Sequence, residues 1–104
     1  MVGKIFLSYA REDLDMVQWE AQTMQMLGHD VFLDVNSLRA GVDWPVTLRG
    51  EIRSADRFIL FWSAFSARSD WVKIEYTAAL EVRNGGQRPL YLQIIRLDRE
   101  PLPE

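Results

Sequence analysis

The chain has 104 residues, of which 48% are hydrophobic and 26% are charged. This length suits one compact domain, residues 1–104, and excludes two independent cores. The 15 acidic residues outnumber the 12 basic ones, giving a net charge of -3, so no basic excess favours binding to nucleic acid. Because the chain has no cysteine, disulfides and thiolate metal sites are excluded, and we expect a reducing, cytoplasmic location. The first apolar run, 5–7, is too short for a signal peptide or membrane span, so no membrane partner is expected.

Short β-branched and aromatic runs alternate with longer segments of helical spacing, a pattern typical of α/β proteins. Gly28 is expected to end the first helix, and Ser69 or Asp70 to cap the third. Asp43 and Pro45 suit the first turn of the second helix. The predicted elements, in chain order, are a strand over 4–9, a helix over 13–27, a strand over 30–34, a helix from 43 to about 55, a strand over 57–62, a helix from 69 or 70 to about 83, a strand over 90–95 and a charged tail over 96–104.

This order of elements predicts a parallel sheet with helices on both faces, because crossovers between parallel strands are right-handed. We expect a flavodoxin-like strand order of 2-1-3-4. In such sheets ligands bind outside the carboxyl ends of the strands, beside the point where the strand order reverses. The segments expected to form a site are therefore 8–11, 34–44 and 63–70.

The third predicted helix carries one charged residue on its apolar face. Trp71, Glu75, Ala78 and Val82 follow one another at i, i+4, i+7 and i+11, so Glu75 shares a face with apolar side chains. A buried carboxylate is costly unless it has a cation partner, a raised pKa or a position beside a cleft. Two interpretations stay open: a structural ion pair with Arg11, Arg39 or Arg68, or a functional carboxylate. Trp71 is likewise either core or a flat wall beside that carboxylate.

Several kinds of site are disfavoured by missing residues. The single histidine, His29, does not make a metal cluster by itself. Ser8 has no base nearby in sequence, which favours a hydrogen-bonding role over that of a nucleophile. Neither a dinucleotide-binding glycine fingerprint nor a Walker loop follows the first strand. A phosphorylation receiver needs acidic residues where this chain has Ser8-Tyr9 and Trp62-Ser63. We therefore expect no metal and no bound cofactor.

Five ordered pieces of the chain together resemble the Toll/interleukin-1 receptor (TIR) domain, and in particular its bacterial branch. These pieces are Phe6-Leu7-Ser8-Tyr9, Val31-Phe32-Leu33-Asp34, Leu38-Arg39-Ala40-Gly41 with Trp44, Ile59-Leu60, and Ser69-Asp70-Trp71-Val72-Lys73-Ile74-Glu75.

The resemblance implies a function. Many similar members cleave NAD+ at the nicotinamide–ribose bond, act in bacterial immunity or cell suicide, and become active when TIR domains self-associate. It implies that Glu75 is catalytic and that NAD+ is a substrate rather than a cofactor. The residues implied to line the substrate pocket are Ser8, Tyr9, Ala10, Arg11, Asp34, Arg39, Gly41, Trp44 and Trp71. The alternative is a non-catalytic adaptor that only binds other TIR domains; the retained spacing from Trp71 to Glu75 favours the enzyme.

The chain departs from the family pattern in two places. Ala40-Gly41 stands where the family usually has Pro-Gly, so the geometry of that loop is expected to differ. Family members normally continue beyond strand 4 with a helix and a fifth strand. We therefore expect an uncovered strand 4 that carries Tyr91, Ile94 and Ile95, in a domain that is either truncated or covered by an oligomer.

Overall fold

A four-stranded parallel sheet forms the centre of the computed structural model, which describes residues 3–33, 50–85 and 89–102. The strands are β1 (Lys4–Ser8), β2 (Asp30–Leu33), β3 (Arg57–Trp62) and β4 (Tyr91–Arg96). They are hydrogen-bonded in the order β2-β1-β3-β4, and every pairing is parallel. The predicted flavodoxin-like order is confirmed.

The helices begin and end where local capping chemistry allows. A 3₁₀ turn over Arg11–Asp13 leads into α1 (Leu14–Met26). Gly28 follows with φ 93°, the left-handed conformation that glycine adopts at little cost. Residues 50–54 are helical, and they belong to the predicted second helix. The remaining helices are α2 (Ala64–Ala67) and α3 (Asp70–Asn84).

The N-terminus of α3 confirms the predicted cap, because the Ser69 hydroxyl accepts a hydrogen bond from the Val72 amide at 3.2 Å. The short helix α2 was not predicted. Its four residues show no periodicity, and it forms because Ser63 and Ser66 make a reciprocal capping box around its first turn.

The two faces of the sheet carry separate apolar clusters, because successive side chains of a strand point to opposite faces. On one face Phe6 stacks between Phe32 and Phe58, with ring centroids 5.1 and 5.2 Å away. Three buried residues of α3 cover this face: Val72, Ala78 and Ala79. On the other face the cluster contains Ile5, Leu7, Tyr9, Ile59 and Phe61 from the strands, with Val17 and Ala21 from α1. The helices therefore lie on both faces, as predicted.

The segment after β4, predicted as a charged tail, forms no helix or strand over its described residues 97–102 and is hydrogen-bonded to the domain. The Trp62 indole donates a hydrogen bond to the Pro101 carbonyl at 2.7 Å. The Asp98 carboxylate accepts one from the Ala64 amide at 2.9 Å, at the start of α2. Backbone hydrogen bonds from Ala64 and Glu100 hold the pKa of Asp98 below its usual value. In the described sheet β4 is an outer strand, and its Tyr91 and Ile94 side chains are exposed.

Candidate active site at the carboxyl ends of the strands

Glu75 lies on the buried face of α3. Its side chain is 1% exposed and is one of the largest fully buried side chains among the described residues. The neighbours that share this face, Val72, Ala78 and Ala79, belong to the apolar cluster beneath the helix. The sequence-based placement of this carboxylate on the inner face of the third helix therefore agrees with the structure.

Ser8 holds the Glu75 side chain. The Ser8 hydroxyl donates a hydrogen bond of 2.7 Å to Glu75 Oε1, between residues 67 positions apart in the chain. Ser8 is the last residue of β1 and is fully buried. It shares the sheet face of Phe6, two positions earlier, and that face is covered by α3. The carboxylate is thus fixed at the carboxyl end of a central strand, where ligands bind in this class of sheet.

The charges around Glu75 bear on the ion-pair interpretation. Arg11 and Arg68 both have exposed side chains, whereas Glu75 is buried. Arg39 lies outside the described residues. The Ser8 group that donates to the carboxylate is a neutral hydroxyl. A carboxylate held by a hydroxyl keeps its acceptor character and a defined orientation, which a role in charge stabilisation requires.

The other predicted pocket residues fall into four groups. Trp71 lies one turn before Glu75 on α3, is half-buried and packs against the same apolar cluster. Tyr9 and Ala10 are buried, but Tyr9 packs in the cluster on the α1 face, opposite Ser8. Arg11 is exposed at the start of the 3₁₀ turn. Asp34, Arg39, Gly41 and Trp44 lie outside the described residues.

A second buried carboxylate at this end of the sheet was missed by the sequence-based reasoning. Asp13, at the end of the 3₁₀ turn, accepts a hydrogen bond of 2.5 Å from the Ser63 hydroxyl, and both residues are buried. Ser63 directly follows β3, and its hydroxyl also accepts hydrogen bonds from the Phe65 and Ser66 amides. The Ser63-x-x-Ser66 spacing is a local sign of the cap. No local feature of the sequence pairs Ser63 with Asp13, 50 positions earlier, so the sequence predicts Asp13 only as the start of a helix.

The positions of the described residues also argue against other kinds of catalytic site. His29 directly precedes β2, so it lies at the amino ends of the strands, whereas Ser8 and Glu75 lie at the carboxyl ends. A Ser-His-Asp arrangement around Ser8 is therefore not formed. Within the described ranges no three His, Cys, Asp or Glu side chains are grouped to hold a metal ion. No described helix combines the length and apolarity needed to cross a bilayer.

Comparison with known proteins gives consistent matches. A family model described as TIR domain matches residues 5–104. Among solved structures, the TIR domain of the Toll-related receptor TRR-2 from Hydra magnipapillata superposes with a TM-score of 0.69 at 16% identity, over 96% of this chain and 73% of that one. The TIR domains of the activated Roq1 resistosome, which directly recognises the pathogen effector XopQ, give a TM-score of 0.73 at 21% identity, over 88% of this chain and 57% of that one. The curated proteins contain no significant match.

Proposed function

This chain belongs to the TIR domain family, and on that premise we propose that it is an NAD+ nucleosidase activated by self-association. The reaction is cleavage of the bond between nicotinamide and ribose, with Glu75 as the catalytic residue. The observation that carries the proposal is the buried Glu75 carboxylate, 1% exposed, held by Ser8 at the carboxyl end of β1 and one helical turn from Trp71.

The chemistry of this bond suits a single carboxylate. The nicotinamide ring of NAD+ is a cationic pyridinium, and it leaves with the electron pair of the broken C–N bond as a neutral molecule. The leaving group therefore needs no proton, in contrast to the alkoxide that leaves in ordinary glycoside hydrolysis. Positive charge moves onto the ribose in an oxocarbenium-like transition state. A fixed carboxylate stabilises that charge, and neither a histidine nor a metal is needed.

After nicotinamide leaves, water or a second nucleophile of the same dinucleotide attacks the ribose carbon. Attack by water gives ADP-ribose and releases a proton, whereas internal attack gives a cyclic product. The Glu75 carboxylate is suited to accept the hydrogen bond of a ribose hydroxyl or of the incoming water. Ser8 acts as a positioning residue, since its hydroxyl fixes the direction of the carboxylate.

The remaining pocket residues are proposed by resemblance. Trp71 supports this assignment, because it lies on the Glu75 face of α3 at the first turn, packs against the apolar cluster beneath the helix and is only partly covered. An indole face suits a planar nicotinamide ring. The segment Ser8–Arg11 lies at the carboxyl end of β1, as Glu75 does. Asp34, Arg39, Gly41 and Trp44 complete the proposed substrate contacts.

Self-association and an immune role are proposed on the basis of the comparisons. The Roq1 neighbour is described as TIR domains of an activated resistosome that directly recognises a pathogen effector, which supports this proposal. By the family resemblance we place this domain in a cytoplasmic bacterial defence or cell-suicide system, where NAD+ loss is the signal. Proximity of TIR domains then switches the activity on.

The test compares two glutamates of the same helix. Glu75→Gln keeps the side-chain volume and an acceptor for Ser8, while Glu81→Gln changes an exposed glutamate of α3. Concentrated protein is incubated with NAD+, and nicotinamide release is followed by chromatography. We expect a loss of about 100-fold or more for Glu75→Gln, the usual cost of removing a charge-stabilising group, and activity within about twofold of wild type for the Glu81→Gln control.

Two results would contradict the proposal. Equal activity of both variants removes Glu75 from the mechanism. A wild-type protein that assembles but releases no nicotinamide is a TIR–TIR interaction module, the adaptor alternative.

A further inference from the structure

A buried hydrogen bond joins two loops at the carboxyl ends of β1 and β3. Asp13, which ends the 3₁₀ turn after β1, accepts this bond of 2.5 Å from the hydroxyl of Ser63, the residue directly after β3. The two residues are 6% and 2% exposed, so water competes little for the bond. The loop that follows β1 is thereby tied to the start of α2.

The Asp13 carboxylate does not do what an aspartate at the start of a helix usually does. Asp13 lies at the N-cap of α1, where an aspartate side chain normally accepts a hydrogen bond from an amide of the first turn. Within the described chain its side chain makes no such capping bond and instead reaches Ser63, 50 positions away. Formation of α1 therefore does not account for this carboxylate.

The bond fixes one side of the candidate site, the loop 9–12. This loop is held at its first end by β1, which ends at Ser8, and at its second end by Asp13. The Asp13 amide also donates to the Ala10 carbonyl at 2.9 Å, which closes the 3₁₀ turn. Arg11 is exposed in the same turn, and a cation on an anchored turn suits the anionic pyrophosphate of NAD+.

The bond also fixes the other side of the site, where α2 leads into α3. The Ser63 hydroxyl that donates to Asp13 accepts hydrogen bonds from the amides of Phe65 and Ser66, each at 3.2 Å. The helix α2 that this cap starts packs against α3, whose first turn carries Trp71. Asp13 is therefore linked through Ser63 to the pair of helices that bears Trp71.

We propose that Asp13 is a positioning residue of the NAD+ site, because its bond to Ser63 holds the loop 9–12 and the helices α2 and α3 at the separation that fits the substrate. The proposal rests on the proposed function and adds to it a residue that acts through its partner. A preformed separation removes the cost of ordering the two sides when the substrate binds. Glu75 is held by Ser8, so loss of the Asp13 bond is expected to weaken substrate binding while the catalytic carboxylate stays in place.

Equilibrium binding of NAD+ tests this role in the Glu75→Gln background, in which cleavage is not expected to consume the substrate. Asp13→Ser shortens the side chain so that it no longer reaches Ser63, but keeps a residue favoured at the start of a helix. Ser63→Ala breaks the same bond from the other end, so either variant serves if the other fails to fold. Asp13→Asn is the conservative variant, because its amide oxygen still accepts from the Ser63 hydroxyl.

Ala21→Gly is the matched control for lost stability. Ala21 is buried on α1 and packs against the sheet, so glycine there destabilises the helix without changing either loop. Urea unfolding gives the stability of each variant. Titration calorimetry with NAD+, at a temperature where every variant is folded, gives the dissociation constant.

The expected result separates binding from stability. Asp13→Ser and Ser63→Ala should each raise the dissociation constant of NAD+ about tenfold. The double variant should stay within about twofold of the weaker single variant, because both changes break one bond. Asp13→Asn should stay within about threefold of its parent, because it keeps the contact, and Ala21→Gly within about twofold, although it is less stable.

Four outcomes would overturn the proposal. Unchanged NAD+ affinity in Asp13→Ser and Ser63→Ala makes the bond structural only. An equal loss of affinity in Ala21→Gly attributes the effect to stability, and a loss in Asp13→Asn as large as in Asp13→Ser attributes it to charge. Absence of NAD+ binding in both the wild type and the Glu75→Gln protein removes the site that Asp13 is proposed to position.

Failure of the proposed function gives a different result. If NAD+ binds with the expected pattern among the variants but the wild type releases no nicotinamide, cleavage is contradicted and the positioning role of Asp13 stands.

Discussion

Ser8→Ala tests the central hydrogen bond of the candidate site. The substitution removes the hydroxyl that donates to Glu75 Oε1 across 2.7 Å, in a place where both side chains are buried. A hydrogen bond to a charged group contributes roughly 1.5–3 kcal/mol, and one between neutral groups roughly 0.5–1.5 kcal/mol. The proposed chemistry requires an ionised carboxylate, so we expect the free energy of unfolding to fall by about 2 kcal/mol. For a domain of this size the melting temperature then falls by about 8–16 °C.

The same substitution in a Glu75→Gln background separates the charge from the hydrogen bond. The amide oxygen of glutamine still accepts from Ser8, but as a neutral group, so removing the hydroxyl should cost only about 1 kcal/mol. The difference of about 1 kcal/mol is the coupling energy of a double-mutant cycle. Urea unfolding at neutral pH, followed by tryptophan fluorescence, measures all four proteins.

Ser54→Ala is the control in both backgrounds. Ser54 is an exposed residue whose hydroxyl accepts a hydrogen bond from Lys4, at the opposite end of β1 from Ser8. Its substitution should therefore cost the same in the wild-type protein and in the Glu75→Gln background, because distant sites are independent. A Ser8→Ala cost that is equal in the two backgrounds would refute an ionised, hydroxyl-bound Glu75.

Further predictions concern the rest of the fold. Ser63→Ala removes both the bond to Asp13 and the cap of α2, and we expect a loss of about 2 kcal/mol in urea unfolding; a loss below about 0.5 kcal/mol would contradict the buried bond. Asp98 has a lowered pKa, chiefly through the Ala64 amide, so its contribution to stability is present at neutral pH and is lost as the pH falls through that lowered value. Wild type should therefore exceed Asp98→Asn in melting temperature at pH 7, and the difference should shrink as the pH falls through the lowered pKa of Asp98; a difference that stays constant with pH would argue against these hydrogen bonds. Gly28→Ala, at φ 93°, should cost about 1 kcal/mol by chemical denaturation, and an unchanged midpoint would argue against the left-handed turn.

The elements with local signals were predictable from the sequence. The strand over 57–62 was predicted with the bounds of β3. The cap of α3 was predicted at Ser69 or Asp70, and it lies at Ser69, because a hydroxyl three residues before a free amide is a local feature. The parallel sheet followed from the alternation of elements, and the expected flavodoxin-like strand order agrees with the structure. The face of Glu75 followed from helical spacing.

The contacts that the sequence could not supply are those between distant residues. The Ser8–Glu75 bond joins residues 67 positions apart, and the Asp98–Ala64 bond joins residues 34 positions apart. The second bond, with the cap from Ser63, is why α2 forms and why the segment after β4 is not a free tail. No periodicity within either segment indicates these partners. The alternation of side chains along a strand places Ser8 on the same sheet face as Phe6. Which side chain Ser8 contacts on that face depends on the tertiary fold.

The parallel pairing of all four strands has a consequence for how the chain is made. Parallel neighbours cannot be joined by a hairpin. Of the four strands described, β1 is synthesised first, and its pairing is complete only with β3, which starts 53 residues after β1 begins. Phe6 stacks on Phe58 as well as on Phe32, so its cover is complete only when Phe58 and then the residues of α3 have been synthesised. The nascent domain exposes part of this aromatic strand until β3 and α3 have been synthesised, so slow elongation or termination before that point should favour aggregates, and chaperones that bind unfolded chains should raise the yield of native protein.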